Sequence, residues 1–463
     1  MSLREAHPVT RDPAAALAIL PRRRERLAIV STRNRLCGIA AYTQVLERHL
    51  AELFEIRVFD LDQYLLRGRH PRLRAQADRH IKEICEEIRR FDAINLQLEY
   101  GTLGRSAKDI CRRVDWLVRA APRLSVTFHS LARPAFLPIA DLLGAAAALK
   151  WRTALDARRA AAHRRKLASR IPAALRREQR RKPVSVIVHN RRDLADARHL
   201  FGFERAFDHP LSFLSAAEAR SIRSQATPGR FPLLDGLPLD AKMVGVFGFL
   251  NNYKGFGTAV RALHQLPPDH HLLVFGATHP NEIPLNQPIH PYVAALLDAG
   301  NVDRMLYDQL RDTRGASVTL DIERHFAALF GVHPRDLSQR LHFMGALDDN
   351  DFLVGMAICD AVIFPYLEVG QSASGPLSQA VELGCRVIAS RTNAFIEFAR
   401  YHPETIEFFD IGNHLELAQR VLARRQYAPR RELSFDIESN KAVYLAANSA
   451  ALNGAGLQDA ALR

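Results

Sequence analysis

Gln371-Ser-Ala-Ser-Gly-Pro-Leu-Ser-Gln379-Ala-Val-Glu-Leu-Gly384-Cys-Arg-Val-Ile-Ala-Ser390 is the stretch on which the fold turns. A small polar loop opens it, an apolar-periodic segment follows, and a β-branched run closes it. Pro376 suits the first turn of a helix, where its missing N–H loses nothing, and Gly384 suits the position just past the end. The stretch therefore predicts a loop, a helix over 376–383 and a strand over 386–389, with another strand at 361–365 before it. The unpaired N–H groups at the start of that helix, over 374–377, and the positive end of its dipole suit phosphate or carboxylate. Ser372, Ser374, Gly375 and Leu377 are accordingly candidate anion-binding residues.

Outward from this stretch, strands are expected at 243–249, 271–275 and 340–344, with helices at 257–266 and 349–357. Gly248-Phe249-Leu250-Asn251-Asn252-Tyr253-Lys254-Gly255 lies between a strand and a helix. Gly248 lets the backbone approach a ligand, and Lys254 supplies a point charge for a phosphate. The N-terminal half reads alike, with strands at 26–31, 56–59, 93–98, 124–128 and 184–188, and helices over 39–53, up to 90 and through 117. Short apolar strands alternating with helices make parallel sheets covered on both faces. The Pro- and Gly-bearing stretch 227–238 reads as a linker between two such series. The expected architecture is α/β: two doubly wound, Rossmann-like domains facing across a cleft, where ligands of open α/β sheets bind. Its parts are a flexible tail over 1–26, a first domain over 27–235, a second over 236–425 and a final segment over 426–463.

Length and composition agree with two ordinary domains: 463 residues, 48% hydrophobic and 25% charged, which excludes wholesale disorder. The five cysteines form no Cys-x-x-Cys pair, which argues against a disulfide framework or cysteine zinc site and fits a reducing cytoplasm. No apolar run reaches the roughly 18 residues a membrane span needs. The best candidate, 135–151, is broken by Pro138, Asp141 and Lys150. The net charge of +14 is concentrated in one place: from Lys150 to Lys182 there are 13 Lys or Arg against Asp156 and Glu178, a local +11. Leu167, Ile171 and Leu175 recur there at i, i+4 and i+8, so a basic, partly amphipathic helical insert is expected over about 141–182. Two readings stay open for it, a solvated helical hairpin and adhesion to an anionic bilayer. Nucleic acid ranks last, because no stacking aromatics are interleaved beyond Trp151.

The C-terminal half resembles the donor domain of GT-B glycosyltransferases of family 4 (group 1). The resemblance lies in Gly248-x5-Lys254-Gly255, in the strand 271–275 with Gly276, in Phe343-x-Gly345, and in the closing Gly384-x-Arg-Val-Ile-Ala-Ser390. The N-terminal half is similar in Cys37-Gly38-Ile39-Ala40-Ala41-Tyr42-Thr43, Gln97-x-Glu99-Tyr100-Gly101 and Thr127-Phe128-His129. A helix expected over 435–447 resembles the closing helix that crosses back to the first domain. The resemblance implies a retaining transfer of a sugar from a nucleotide-diphosphate donor to a glycan or lipid-linked acceptor, in cell-surface polysaccharide or glycoconjugate synthesis. Lys254 and the amides near Ser374 would hold the diphosphate, with Gly248 beside them. Gly38 would lie beneath the donor, and His129 would touch the sugar or a phosphate, or simply cap its strand.

The chain departs from the family where a Glu-x7-Glu pair is usual, since those positions are Gln371 and Gln379. The first would orient the donor sugar and the second the ribose diol, but an amide carries no charge and both donates and accepts. Phe249 stands where the family often has Arg. An alternative reading follows, a catalytically degenerate GT-B protein acting as a nucleotide-sugar-binding or membrane-associated scaffold subunit. No His-Glu-x-x-His or other metal spacing is present, so neither metal nor cofactor is expected, the nucleotide-sugar being a substrate. The 277–340 stretch, about 60 residues against the roughly 2 to 6 usual between α/β elements, reads as an elaboration containing helices such as 322–329. The expected place of action is the cytoplasm, at the inner face of the membrane if the acceptor is lipid-borne.

Overall fold

Residues 27–30, 93–98 and 124–128 are buried without a break, as in strands covered by helices on both faces. The computed structural model describes residues 24–33, 37–133, 151–278, 291–299, 304–311, 317–323, 337–423 and 433–449. The chain forms two compact units, Met1–Leu211 with Ile437–Arg463, and Ser212–Asp436. Most of the expected tail, residues 1–23, lies outside the described residues, as does the part of the basic insert up to residue 150.

In the first unit the order is β1 (Arg26–Ser31), α1 (Gly38–Leu50), β2 (Glu55–Asp60), α2 (Pro71–Ile88), β3 (Ala93–Leu98), α3 (Ala107–Ala120), β4 (Leu124–Phe128), α4 (Trp151–Gln179), β5 (Val184–Val188) and β6 (Arg205–Asp208). All pairings are parallel, in the order β2-β1-β3-β4-β5-β6. Local chemistry sets the helix starts. The Ser106 hydroxyl accepts from the Asp109 N–H at 3.1 Å, and Pro71 opens α2. Arg113, fully buried, ties α3 to its surroundings through Asp78 at 2.8 Å and the Leu66 and Leu103 carbonyls at 2.9 and 2.7 Å. From Trp151 to Gln179 the basic segment is one helix that runs through Pro172, where the solvated reading expected a hairpin. Its Leu167, Ile171 and Leu175 are buried as their spacing predicts, while Arg158, Arg159, Arg164, Arg165, Lys166 and Arg170 are exposed.

The second unit runs α5 (Ala216–Ser224), β7 (Lys242–Phe247), α6 (Phe256–Leu263), β8 (His270–Phe275), α7 (Pro291–Ala299), β9 (Arg304–Arg311), β10 (Ser317–Glu323), β11 (Leu341–Gly345), α8 (Asp349–Ile358), β12 (Ala361–Phe364), α9 (Gly375–Glu382), β13 (Val387–Ser390), α10 (Asn393–Ala399), β14 (Ile406–Phe409) and α11 (His414–Leu422). Its sheet is parallel, ordered β11-β8-β7-β12-β13-β14, and β9 pairs with β10 as an antiparallel hairpin. The helix expected over 322–329 is corrected at its start, since residues 322 and 323 end strand β10, and its remainder lies outside the described residues.

The division falls at Leu211/Ser212, upstream of the expected boundary at 235. Glu382 is the reason. Buried at the end of α9, it accepts from the Ser212 hydroxyl at 2.7 Å and from the Phe213 and Leu214 N–H groups at 2.9 and 3.1 Å. Arg223 of α5 donates to the Leu383 carbonyl at 2.8 Å, so residues expected in the first domain are bound into the second unit. The helix Ile437–Asn448 belongs to the first unit, where Asn448 accepts from the Ser125 hydroxyl at 2.6 Å.

Candidate functional site

Strand β7 ends at Phe247, and the chain turns at Gly248 with φ 122°. At Gly255, φ is 64° and a Cβ would stand 1.9 Å from the Pro365 carbonyl oxygen, so no other residue fits without displacing backbone. The turn is thus pressed against the segment that follows β12. Lys254, in the single 3₁₀ turn between these glycines, is directed inward and is only 7% exposed. Its Nζ hydrogen-bonds the Tyr366 hydroxyl and lies 3.9 Å from the centroid of that ring and 5.1 Å from that of Tyr253. Among the described residues it meets no carboxylate. Burial alone lowers its proton affinity, from the ordinary lysine range to about 7.

The Tyr366 hydroxyl continues to Ser374 Oγ at 3.2 Å. Ser374 is the N-cap of α9, yet its side chain caps no helix N–H. Helix geometry leaves the first-turn amides of Gly375 and Leu377 without intrahelical acceptors, and Pro376 has none to offer. The loop leading there is held firmly. Leu367 N–H donates to the Tyr253 carbonyl at 2.7 Å, Ser390 Oγ to the Tyr366 carbonyl at 2.6 Å, and Glu368 accepts from the Gly370 and Asn393 N–H groups at 2.9 and 2.8 Å. Ser372 is buried, and the Phe213 ring packs against Gly375, where a Cβ would meet it at 3.1 Å. Gln371 and Gln379 are partly buried, and their side chains make no hydrogen bond among the described residues. Arg391 stands exposed beside Asp410 at 3.5 Å and stacks on Phe408.

The structure therefore gathers Gly248, Lys254, Ser374, Gly375 and Leu377 around the opening of α9. Tyr366, which joins Lys254 to Ser374, escaped sequence reasoning. Its one signal is position, immediately after Pro365 at the carboxyl end of a strand.

In the first unit, His129 follows β4. Gln97 Nε2 donates to Asn95 Oδ1 at 2.5 Å, so Gln97 Oε1 faces His129 Nε2 at 2.8 Å and accepts its proton. That leaves His129 Nδ1 a bare acceptor, suited to a hydroxyl and not to a phosphate oxygen. His189 lies 5.3 Å away, ring to ring, with Tyr42 edge-on to both. The His209 carbonyl can only accept, so His189 Nδ1 donates to it at 3.1 Å, and His189 Nε2 is buried with no partner among the described residues. Burial holds both rings neutral, His129 well below the usual histidine range and His189 down to about 4. Gly38 opens α1 with empty space where a Cβ would sit, so the surrounding protein does not itself require glycine there. Among the described residues no group of three or more His, Cys, Asp or Glu is placed to hold a metal ion, and all five cysteines are free.

No protein-family model matches the sequence, and no curated protein matches it. Solved structures do match in fold. UDP-forming α,α-trehalose-phosphate synthases from Burkholderia xenovorans and Burkholderia vietnamiensis each superpose with a TM-score of 0.53. Their identities are 11% and 12%, over 91% and 92% of this chain and 95% of each of theirs. Sucrose-phosphate synthase from Thermosynechococcus elongatus gives 0.50 at 16% identity, over 95% of this chain and 98% of that one. These relatives in shape are GT-B glycosyltransferases, and with its two six-stranded parallel sheets this chain has the GT-B fold.

Proposed function

We propose that this protein is a glycosyltransferase that moves a sugar, with retention, from a nucleotide-diphosphate sugar to a glycan or lipid-linked acceptor. The observation that carries the reading is the convergence of Lys254 and Ser374, through Tyr366, on the opening of α9. A leaving diphosphate needs positive charge and N–H donors fixed in place before it departs. Lys254 and the amides of Gly375 and Leu377 supply them, with Gly248 and Ser372 shaping the turn and loop beside them. Gln371 orients the sugar, Gln379 meets the ribose, and in the first unit His129 takes a sugar hydroxyl and Gly38 leaves room for the donor. The two trehalose-phosphate synthases are UDP-forming, which makes uridine the first base to test. The exposed basic face of α4 supports a lipid-borne acceptor at the cytoplasmic leaflet.

The test is nucleotide release from UDP-, GDP- and ADP-sugars, with the anomeric configuration of any product read by NMR. Release that falls by at least about 100-fold in Lys254→Ala is the expected outcome, the size seen when one fixed transition-state donor is lost. Release unaffected by that change defeats the assignment. A second reading is favoured by the uncharged Gln371 and Gln379, namely a subunit that binds the nucleotide-sugar without transferring it. Thermal protection by one donor with no release of nucleotide would establish it.

A further inference from the structure

We propose that Tyr366 is a positioning residue that stores Lys254 as an uncharged amine, so that a nucleoside diphosphate seating at the opening of α9 draws a proton from solvent onto Lys254. This rests on the reading of the site as a donor site and adds to it a proton that binding must supply.

The geometry comes first. An ammonium has three N–H donors, and buried polar hydrogens require acceptors. Around Lys254 the turn offers Gly248 and Tyr253, the segment after β12 offers Tyr366, and the start of α9 offers Ser374 one bond further on. Behind Tyr366 stands Phe395 of α10, ring to ring at 5.0 Å. None of these is a carboxylate. Glu368, on the loop between Tyr366 and Ser374, is engaged with the Gly370 and Asn393 amides. A neutral amine suits this enclosure with a single phenol for company. The two ring faces favour a cation only in part, against the desolvation that opposes it. The lowering of Lys254 to about 7 has this same cause.

Tyr366 gives the stored amine its use. With Lys254 neutral, the phenol donates to Nζ and accepts from the Ser374 hydroxyl. When Lys254 gains a proton it must donate, so the phenol turns its own proton to Ser374 Oγ, and the Ser374 hydrogen is released toward the helix opening. One proton leaves solvent and becomes the third N–H on Nζ, and no covalent bond of the ligand breaks. Arrival of the diphosphate thus produces a cation and a free hydroxyl donor together, at the place where phosphate oxygens need both.

The test is calorimetric titration of the full chain with UDP, GDP and ADP at pH 8, in two buffers of different ionisation enthalpy. At this pH the nucleotide itself no longer titrates. Uptake approaching one proton per bound nucleotide is expected. Tyr366→Phe, checked for an unchanged thermal midpoint, should bind roughly tenfold more weakly and take up less than half as many protons. Ser374→Ala should weaken binding with the uptake retained. Binding without proton uptake overturns the proposal and leaves the donor site standing. An uptake in Tyr366→Phe equal to that of the parent reduces Tyr366 to packing and also overturns it. Absence of binding by all three nucleotides removes the donor reading and this inference together.

Discussion

At the residue scale, Lys254 ties stability to pH in a direction that can be worked out. Its folded value lies near 7 and its unfolded value near 10.5, so between them the unfolded chain holds a proton that the folded chain has given up. Stability therefore rises with pH across that window, by at most about 1.4 kcal/mol per pH unit for one such group. Glu382 acts oppositely. Burial lifts its carboxyl to about 8, so its contribution declines as pH climbs from the ordinary carboxylate range to 8 and is level above. Between pH 8 and 10 the thiols of Cys85, Cys111 and Cys359, raised by burial, pull stability down alike in both proteins, so the slope of urea midpoint against pH should be more positive in the parent than in Lys254→Met. Equal slopes in the two proteins would mean that Lys254 is charged in the folded state. The turn that presents Lys254 was legible, because glycines spaced around a lysine after an apolar strand admit few readings. Tyr366 was not, because an aromatic after a strand is usually core, and here it is core and relay at once. Its second role depends on neighbours that sequence spacing does not reveal.

At the element scale, most of the strands that periodicity found are buried, and the two half-exposed edge strands it also found, β2 and β11, run to six and five residues. β6 (Arg205–Asp208) and β14 (Ile406–Phe409) went unread because each is four residues long at a sheet edge and only partly buried, which leaves too short a pattern to recognise. Composition found α4 easily but could not say whether its charge has a use. The structure sharpens that question. One face of α4 packs through Leu167, Ile171 and Leu175, and the exposed arginines and Lys166 lie off that face. If the charge faces lipid, each basic residue contributes about 1 kcal/mol near an anionic surface. Reversing Arg158, Arg165, Lys166 and Arg170 to Glu should abolish flotation with vesicles rich in anionic phospholipid and leave the thermal midpoint within a few degrees. Undiminished flotation, or none by the parent, would assign the helix to solvent.

At the scale of the whole molecule, the chain is divided discontinuously in sequence but cleanly in packing, for each unit has its own apolar core. The first unit is nonetheless incomplete when the chain reaches residue 211. Its sheet buries Asn95, Gln97, Ser125 and Thr127, polar groups that an apolar interior would not tolerate unpaired. They pair with one another, Asn95 with Ser125, Thr127 and Gln97, and helix Ile437–Asn448 completes the network. The Tyr444 hydroxyl meets Gln97 Nε2 at 3.2 Å and Thr127 Oγ1 at 3.0 Å, and Asn448 meets Ser125. The second unit must therefore be synthesised before the first can be satisfied. Tyr444→Phe removes one shared partner while Gln97 and Thr127 keep each other and Asn95, and should destabilise the first unit by about 0.5–1.5 kcal/mol, the usual net worth of a hydrogen bond. Ending the chain after Asp436 removes every partner that the helix brings. Hydrogen exchange followed by peptide mass spectrometry should then show β3 and β4 losing protection while β7, β12 and β13 keep theirs, since every residue of the second unit is still present. If β3 and β4 stay protected in the shortened chain, the polar ladder is satisfied by some other means and the late helix is an accessory to the first unit's fold.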